Sequence, residues 1–468
     1  MESLDHQIPK LMNKYHVPGI SIGIIHNSKV TNIKNYGYAD KRAKETIHND
    51  TYYQVGSISK SVTAWGIMKL VEQGELDLDK PVSQYLTRWK LPETAFKREI
   101  TIRQLLSHTS GIAEQNYSGY KEFEDLPTLE QSLSGEAPHV QPIKMVAEPG
   151  TEYIYSGAGF TLLQLIIEEV SGTSFSQFMQ GEILSPLGMN HSTFHWDQQV
   201  QKKIAKGYNL FAWPHDDRYF TEEAAAGLYT TVEDMANFVL ASIYGTDENQ
   251  LLSNDSLQLM YTPEKIGDTP TGYGLGHNVF SMLNGNTVIT HNGMNIGWNS
   301  QYFVIPDRGE GIVILTNSEV GNLIISYIFS KWSEWQTGEV STFYTKRQMI
   351  NEIYTIAAFI LSVILLIRVV FFIKKIKTRK RKFGLHVNNK QYLIILFKLI
   401  APILFALAWW FLLYYPWYEG GWTAATVLPY EVIRVTYAVS AWCCYFALKA
   451  LFVKEAILLK FDFKGDCL

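Results

Sequence analysis

The sequence contains very little cysteine. Of its 468 residues only three are cysteine, Cys443, Cys444 and Cys467, and all of them lie near the carboxyl terminus. The first 350 residues therefore offer no possible disulfide and no thiolate metal site. An exported bacterial domain and a cytosolic domain both fit this absence.

Several other signatures are missing as well. The formal net charge is only −4, so charge gives no reason to expect a nucleic acid partner. The 12 histidines show no HExxH or other paired-ligand spacing, so we expect no metal site. Neither a glycine-rich phosphate loop nor a dinucleotide fingerprint occurs, and we expect no cofactor. The opening residues lack the basic-then-apolar pattern of a secretory signal, so the sequence leaves the export route open.

Residues 1–335 have the character of one mixed α/β domain. Apolar and polar residues alternate on both sides of a turn at His26–Ser28, which predicts a β-hairpin. A second strand-rich stretch begins near Gly274 and includes an Asn284–Gly285 turn. Because strands lie at both ends of the domain, we expect a sheet built from both chain ends.

Helical patterns predominate between these strand-rich ends. Apolar periodicity and helix-ending glycines predict helices over 59–72, 102–107 and 160–170. The simplest arrangement is therefore a sheet with a helical middle enclosed between its two halves.

The composition changes after residue 335. A connector over 336–352 precedes a membrane domain over 353–468. Its apolar runs at about 353–373, 392–415 and 432–453 are predicted to be three transmembrane helices, since roughly 20 residues span the hydrocarbon core.

Charge predicts the orientation of this membrane domain. Residues 374–390 hold eight Lys or Arg and no acidic residue, so this segment should stay cytoplasmic. The protein would then be a multi-pass protein of the cell membrane with residues 1–335 on the extracytoplasmic side. The charges within the apolar runs lie toward helix ends, which favours snorkelling over a transport path; they are Arg368, Lys398, Arg434 and Lys449.

Ser57 and Lys60 lie three residues apart at the start of an apolar-periodic helix, which places both side chains on one face. A serine hydroxyl is a weak nucleophile unless a nearby group takes its proton, and a lysine one turn away can do so. The helix start adds free backbone N–H groups and a positive dipole end. The alternative role for Ser57 is an ordinary helix N-cap. A second Ser-x-x-Lys match, Ser118–Lys121, lacks a helical period and is interpreted as chance.

Two further groups are candidates for the same site. Tyr155 lies in a Pro-Gly-bounded loop before an amphipathic helix, and a phenol beside a lysine ammonium suits general-base work. A buried core tyrosine is the alternative. His291, Asn292 and Gly293 lie in the last strand-rich stretch, where a glycine lets a substrate backbone approach closely. The alternative for His291 is a surface histidine on a strand.

Taken in order, the Ser57-x-x-Lys60, Tyr155-Ser-Gly and His291-x-Gly293 motifs resemble the serine β-lactamase and D-alanyl-D-alanine carboxypeptidase superfamily, especially its class C-like branch. The resemblance covers roughly residues 5 to 335. Other segments are similar to recurring segments of that family, namely 101–112, 148–156, 184–194, 225–238 and 272–276.

The resemblance implies a fold and a mechanism. The fold is of the α/β (α+β) class, with an antiparallel sheet flanked by helices plus a helical subdomain. Ser57 would be acylated, and Lys60 and Tyr155 would handle the proton. The backbone N–H groups of Ser57 and Met294 would form the oxyanion hole.

The resemblance also implies substrate-binding positions at His291, Gly293, Met294 and Gly157, with two departures. Relatives often carry asparagine where Gly157 stands, so a side-chain amide is missing here. Many penicillin-hydrolysing relatives carry lysine in place of His291, whose charge depends on pH, so a substrate carboxylate should be held more weakly. Both departures favour a peptidase or esterase over a β-lactamase.

We therefore expect a membrane-anchored serine hydrolase that acts through a Ser57 acyl-enzyme on amide or ester bonds next to D-amino acids. Its partners would be the membrane and a small peptide, D-amino-acid or ester substrate. The alternatives are a β-lactamase, an export-coupled prodrug peptidase that removes an N-acyl-D-amino-acid cap, and a penicillin-binding sensor. The predicted cytoplasmic segments are too short for a signalling domain, which argues against the sensor. The sequence does not indicate an oligomeric state.

Overall fold

A computed structural model describes the chain from residue 2 to residue 454. It leaves out residues 114, 116, 118, 124–125, 139, 210, 246–250, 283, 339–341, 379, 384–388 and 415–431. Ser118 of the second Ser-x-x-Lys match thus lies outside the described residues, as does the tail after 454. The chain divides into two compact units, one up to residue 341 and one formed by the described residues from 342 onward.

The first unit is built on a seven-stranded antiparallel sheet. Its strand order is β3-β2-β1-β11-β10-β9-β8. Its strands are β1 (Gly19–His26), β2 (Lys29–Asp40), β3 (Glu45–Thr46), β8 (Asn278–Ser281), β9 (Thr287–Asn295), β10 (Trp298–Ile305) and β11 (Glu310–Thr316). Strands from the two ends of the unit meet where β1 pairs with β11, with Ile20 opposite Thr316. The prediction of a sheet built from both chain ends is confirmed.

Both predicted hairpins are present. The β1–β2 turn places Asn27 at φ 52° and Ser28 at φ 55°, the paired left-handed conformation that a tight hairpin requires. Gly285, at φ 83°, turns the chain between β8 and β9. Short paired strands lie outside the main sheet: β4 (Tyr53–Gln54) with β5 (Tyr229–Thr230), and β6 (Lys265–Ile266) with β7 (Thr269–Pro270).

The helices of the first unit include those predicted from periodicity. They are α1 (Glu2–Tyr15), α2 (Ile58–Glu72), α3 (Ile102–Leu106), α4 (Leu129–Ser134), α5 (Gly157–Ser171), α6 (Phe175–Met179), α7 (Gln198–Lys203), α8 (Glu223–Ala226), α9 (Val232–Ala241), α10 (Asn254–Met260) and α11 (Asn322–Thr337). A π-helical stretch, Gln180–Leu184, continues α6, and single 3₁₀ turns occur at Val82–Gln84 and Pro306–Arg308. Helix α5 begins before its predicted start because Ser156 caps it, accepting a hydrogen bond from the Gly159 N–H at 3.3 Å.

Helix α2 lies at the centre of the helical part. Twelve of its 15 residues are buried, and it packs against α5, α6 and α8 and against β9. A helix buried on all sides is positioned by tertiary packing rather than by one apolar stripe. The fold is therefore an antiparallel sheet flanked by helices with a helical part beside it, and the predicted fold class is confirmed.

The second unit contains α12 (Thr342–Lys377), α13 (Asn389–Tyr414), α14 (Val432–Ala450) and a short pair formed by β12 (Arg381–Phe383) and β13 (Phe452–Lys454). Two spans, Glu352–Lys377 and Tyr392–Leu412, are long and apolar enough to cross a membrane. Their apolar side chains face outward, as with Phe359 at 69% exposure and Phe397 at 71%.

The secondary structure of this unit differs from the predicted pattern at two places. Residues 342–352, predicted as a connector, form the first turns of α12 because the segment contains no glycine or proline to stop a helix. The third apolar run forms α14, but the helix ends at Ala450, and residues 452–454 pair as a strand. With Arg434 and Lys449 inside its 19 residues, α14 is not among the described helices apolar enough to span a membrane.

Candidate active site

The chain reaches Ser57 through a turn that only glycine can form. Gly56 has φ +51°, and a Cβ on it would lie 2.6–2.8 Å from the backbone of Met294. Ser57 follows as the N-cap residue of α2 with helical φ and ψ, and its hydroxyl caps no backbone N–H. Ser57 thus occupies the N-cap position without a side-chain capping bond, and the half-buried residue has its hydroxyl available for other contacts.

Lys60 contacts Ser57 directly. The Lys60 Nζ lies 3.1 Å from Ser57 Oγ and donates to the carbonyl oxygen of Ala225 at 2.7 Å. The lysine is only 3% exposed and takes part in none of the ion pairs found among the described residues. Burial without a counter-charge penalises the ammonium form and lowers the pKa of Lys60 to about 7.

Tyr155 also lies close to Lys60. The Lys60 Nζ is 5.2 Å from the centroid of the Tyr155 ring, within cation–π distance. The Tyr155 ring packs against the ring of His108, with the centroids 4.2 Å apart. His108 Nδ1 accepts a hydrogen bond from the Ser156 N–H at 3.1 Å, and this bond holds the loop that carries Tyr155. The structure thus brings Ser57, Lys60 and Tyr155 together at the start of α2.

His291 is buried behind this group, with 1% exposure. Its Nδ1 lies 2.6 Å from the carbonyl oxygen of Asn292, which can only accept, so Nδ1 carries the proton. Nε2 then accepts from the Tyr273 hydroxyl at 2.9 Å. Burial, aided by the Lys60 charge, lowers the pKa of His291 to about 3. The expectation of a pH-dependent charge is therefore corrected: this imidazole is neutral at physiological pH.

Gly293 has a structural reason for lacking a side chain. A Cβ at this position would lie 1.7 Å from the carbonyl oxygen of Val55 and 3.2 Å from the Ile58 nitrogen. Strand β9 can therefore pack against the start of α2 only with glycine here. The space on the side of the missing Cβ is taken by the backbone before Ser57, and a role for Gly293 in substrate binding stays a prediction.

Met294 lies beside the nucleophile turn through its backbone rather than its side chain. Its main-chain atoms are the ones that a Cβ on Gly56 would meet. The Ser57 N–H, for its part, donates to no backbone carbonyl in the part of the chain that the structure describes. Two main-chain segments thus approach each other where the resemblance places an oxyanion hole.

The outer edge of β9 is open next to this site. Strand β8 pairs only with Thr287–Thr290, so residues 291–295 have no strand partner on that side among the described residues. An open strand edge can pair with an extended peptide backbone.

Gly157 is buried at the first position of α5. A Cβ on it would lie 2.5 Å from the Gln115 carbonyl oxygen and 2.9 Å from the Tyr117 ring. The direction in which an asparagine side chain would extend is therefore filled by protein. A role for Gly157 in substrate binding stays a prediction.

Sequence reasoning assigned no role to several residues that support the site. Tyr273 donates to His291, and the Ala225 carbonyl accepts from Lys60. Asn295 Nδ2 donates to Gln54 Oε1 at 3.1 Å, tying β9 to the strand before Ser57. Tyr273 and Ala225 lie in segments noted for their resemblance to family segments, which was the available signal. Among the described residues, no group of three or more His, Cys, Asp or Glu is placed to hold a metal ion.

Comparisons with known proteins find a family model and several relatives that match this chain. The family model described as Beta-lactamase matches residues 4–323. Protein flp of Staphylococcus aureus (strain MW2) is 29% identical over 324 residues, covering 68% of this chain and 63% of that protein. The putative penicillin-binding protein PbpX of Bacillus subtilis (strain 168) is 32% identical over 262 residues, 55% of this chain and 61% of that protein. The chain thus matches slightly less than two thirds of the length of these curated relatives.

Among solved structures, the octameric penicillin-binding protein homologue from Pyrococcus abyssi is similar in fold. It aligns with a TM-score of 0.62 and 30% identity, covering 75% of this chain and 81% of that chain.

Proposed function

Since this chain belongs to the beta-lactamase family, we propose that it is a serine hydrolase whose nucleophile is Ser57. One observation carries the proposal: the Lys60 amino group lies 3.1 Å from Ser57 Oγ and has no carboxylate partner among the described residues. A lysine in that setting can lose its proton near neutral pH and accept the proton of the serine hydroxyl.

The reaction proceeds in two halves. Neutral Lys60 takes the Ser57 proton while Oγ attacks the substrate carbonyl carbon, and the carbonyl oxygen becomes an oxyanion held by the N–H groups of Ser57 and Met294. Tyr155, beside the Lys60 amine, passes a proton to the leaving amine or alcohol as the acyl-enzyme forms. Water then attacks the ester carbon, giving its proton back through the same groups and releasing Ser57 Oγ.

The substrate class follows from what the site offers for binding. Neutral His291 supplies no positive charge for a carboxylate, and Gly157 supplies no amide. The open edge of β9 offers backbone pairing instead, which suits an extended peptide. Together with the family, these features favour an amide or ester next to a D-amino acid as the substrate, over a penicillin that is held by its carboxylate.

The second unit anchors this hydrolase in the cell membrane. Helices α12 and α13 supply its two membrane spans. The basic segment after α12 stays cytoplasmic, which places the first unit outside.

Covalent labelling of the full-length protein in detergent tests the nucleophile. A fluorophosphonate probe should label the wild type at Ser57, and Ser57→Ala should abolish labelling without loss of the folded circular dichroism spectrum. Ser118→Ala is the matched control and should label normally. Label recovered on the Ser57→Ala protein, at Ser118 or elsewhere, would contradict the assignment.

Turnover measurements then separate the hydrolase from its alternatives. Purified protein should release product steadily from a D-amino-acid ester and far more slowly from its L-isomer. Rapid hydrolysis of a chromogenic cephalosporin with no ester turnover would favour the β-lactamase. A penicillin adduct that forms and persists with no ester turnover would favour the sensor.

A further inference from the structure

The second unit contains a partly open apolar cavity of about 1100 Å³. Its walls come from α12, α13 and α14, and Arg381 of β12 and Phe452 of β13 also line it. The lining side chains are mostly aliphatic or aromatic and include Leu361, Ile394, Phe405, Val439 and Trp442. This volume exceeds what a drug-sized ligand needs, since most small-molecule pockets measure roughly 300 to 1000 Å³.

Three cations line the same cavity. Lys398 comes from α13, Lys449 from α14 and Arg381 from β12. The residues that line the cavity include no Asp or Glu. None of the three cations belongs to an ion pair within the part of the chain that the structure describes.

Arg381 is held in place by backbone contacts. One of its terminal nitrogens, Nη1, donates to the carbonyl oxygens of Phe452 at 2.8 Å and Lys449 at 3.3 Å. Its guanidinium carbon lies 5.9 Å from the centroid of the Phe372 ring. A guanidinium fixed in this way keeps further N–H donors for an anion, which its fork geometry suits.

Snorkelling does not account for this arrangement. Snorkelling sends each charge separately to the nearest water, whereas these three charges come from different elements and line one cavity. Like charges that share an apolar cavity repel one another and lose hydration. A bound anion would relieve both costs, and apolar walls next to the charges suit a molecule with hydrocarbon chains.

We propose that this cavity binds an anionic phospholipid, with its phosphate at Arg381, Lys398 and Lys449 and an acyl chain along the apolar walls. Basic pockets between membrane helices on the cytoplasmic side bind such head groups. The inference rests on the proposed insertion of this unit into the membrane. It assigns the second unit a specific lipid ligand in addition to anchoring.

Native mass spectrometry of the full-length protein in detergent tests the site. The protein is titrated with phosphatidylglycerol, with phosphatidylcholine of the same chain length, and with glycerol phosphate alone. The wild type should bind phosphatidylglycerol at least tenfold more tightly than phosphatidylcholine. Lys398→Gln should weaken phosphatidylglycerol binding about fivefold, since one basic residue contributes roughly 1 kcal/mol to an anionic lipid.

Arg434→Gln is the matched control. Like Lys398→Gln it removes one positive charge, but from a residue of α14 that does not line the cavity. It should keep wild-type lipid preference. The proposed site would be overturned if Arg434→Gln and Lys398→Gln lost equal affinity for phosphatidylglycerol. It would also be overturned if the wild type bound phosphatidylglycerol no more tightly than phosphatidylcholine. Glycerol phosphate binding as tight as that of the lipid would overturn the choice of a lipid as ligand.

Insertion is measured separately by washing protein-loaded vesicles with sodium carbonate. A chain that resists the wash but shows no lipid preference contradicts the cavity proposal alone. A chain that the wash removes contradicts membrane anchoring, and the lipid site with it. Labelling of Ser57 is independent of either result.

Discussion

Lys60 is placed among neutral groups. The atoms nearest its amino nitrogen are the Ser57 hydroxyl and the Ala225 carbonyl, with the rings of Tyr155 and Phe160 at 5.2 and 5.7 Å. None of these carries a full charge, so hydration lost on burial is not replaced. The pKa of Lys60 therefore falls, from 10.5 to about 7, into the range where an amine can act as a base.

The pH dependence of hydrolysis should report this shift. Because the neutral amine is the form that accepts the Ser57 proton, kcat/KM should rise with pH through a midpoint near 7. The measurement is a pH profile of kcat/KM with a D-amino-acid amide. His291→Gln should keep the midpoint, since that imidazole is already neutral with a pKa of about 3. A midpoint that moves in His291→Gln, or a flat profile from about pH 5.5 to 8.5, would contradict the role of Lys60.

The same burial predicts a stability gain when Lys60 is removed. The folded pKa is lower than the unfolded one, so the unfolded chain binds more protons between pH 7 and 10.5 and wild-type stability rises with pH there. Burial of the Lys60 ammonium lowers the free energy of unfolding most below pH 7, by on the order of several kcal/mol. Lys60→Met should therefore raise the melting temperature, and by more at about pH 6 than at about pH 9.

Tryptophan fluorescence of the full-length protein during heating measures this effect. Lys69→Met is the control, because Lys69 lies on the same helix but is only half-buried. It should change the melting temperature little at either pH. A Lys60→Met protein that is less stable than wild type near pH 6 would contradict the burial argument.

At the residue level, spacing along the chain predicts some contacts and not others. Ser57 and Lys60 meet because residues three apart share a helix face, a relation visible in the sequence. Tyr155 was found only through its motif. The low pKa of His291 depends on burial and on the Lys60 charge, both created by elements distant in sequence, so no local pattern could reveal it.

Strand β9 and helix α2 interlock through two glycines. Gly56 leaves space for the backbone of Met294, and Gly293 leaves space for the Val55 carbonyl. The two backbones can therefore approach closely, as the oxyanion hole proposed for Ser57 and Met294 needs. This contact between elements sets the geometry of the site more than any single side chain does.

Gly293→Ala tests that contact. The added methyl would lie 1.7 Å from the Val55 oxygen, so β9 and the turn before α2 must separate, at a cost of about 1 to 3 kcal/mol for such overpacking. We expect a lower melting temperature and a loss of kcat larger than the change in KM, because the oxyanion donors move apart. Gly181→Ala, where a Cβ meets nothing within 4 Å, should leave both unchanged. Wild-type kcat in Gly293→Ala would show that the close approach is not needed.

At the level of elements, the sequence predicts those that carry a strong local pattern. The β1–β2 and β8–β9 hairpins and helices α2, α3 and α5 follow from alternation, turn residues and helix-ending glycines. The sequence predicts that strands from the two ends of the first unit share one sheet. It does not predict the register of β1 with β11, because that register depends on how the whole core packs. The early start of α12 was missed because a polar helical segment and a connector have similar composition.

The two units of the molecule differ in what they do with apolar side chains. The first unit buries them around α2 and the sheet, whereas α12 and α13 expose theirs. Exposed apolar surface along two helices of this length is costly in water and favourable in lipid, where a helix also satisfies its own backbone hydrogen bonds. The distribution of exposed apolar surface thus supports a membrane role for the second unit and not for the first.

The orientation of the whole molecule can be tested with single cysteines. In a background without the native cysteines, Glu75→Cys marks the first unit and Thr378→Cys marks the basic segment that follows α12; both side chains are exposed. Because the basic segment should remain in the cytoplasm, a membrane-impermeant maleimide added to intact cells should label position 75 and not position 378. Both should react after the cells are lysed, which controls for reactivity. Labelling of position 378 in intact cells with protection of position 75 would reverse the orientation and place the hydrolase in the cytoplasm.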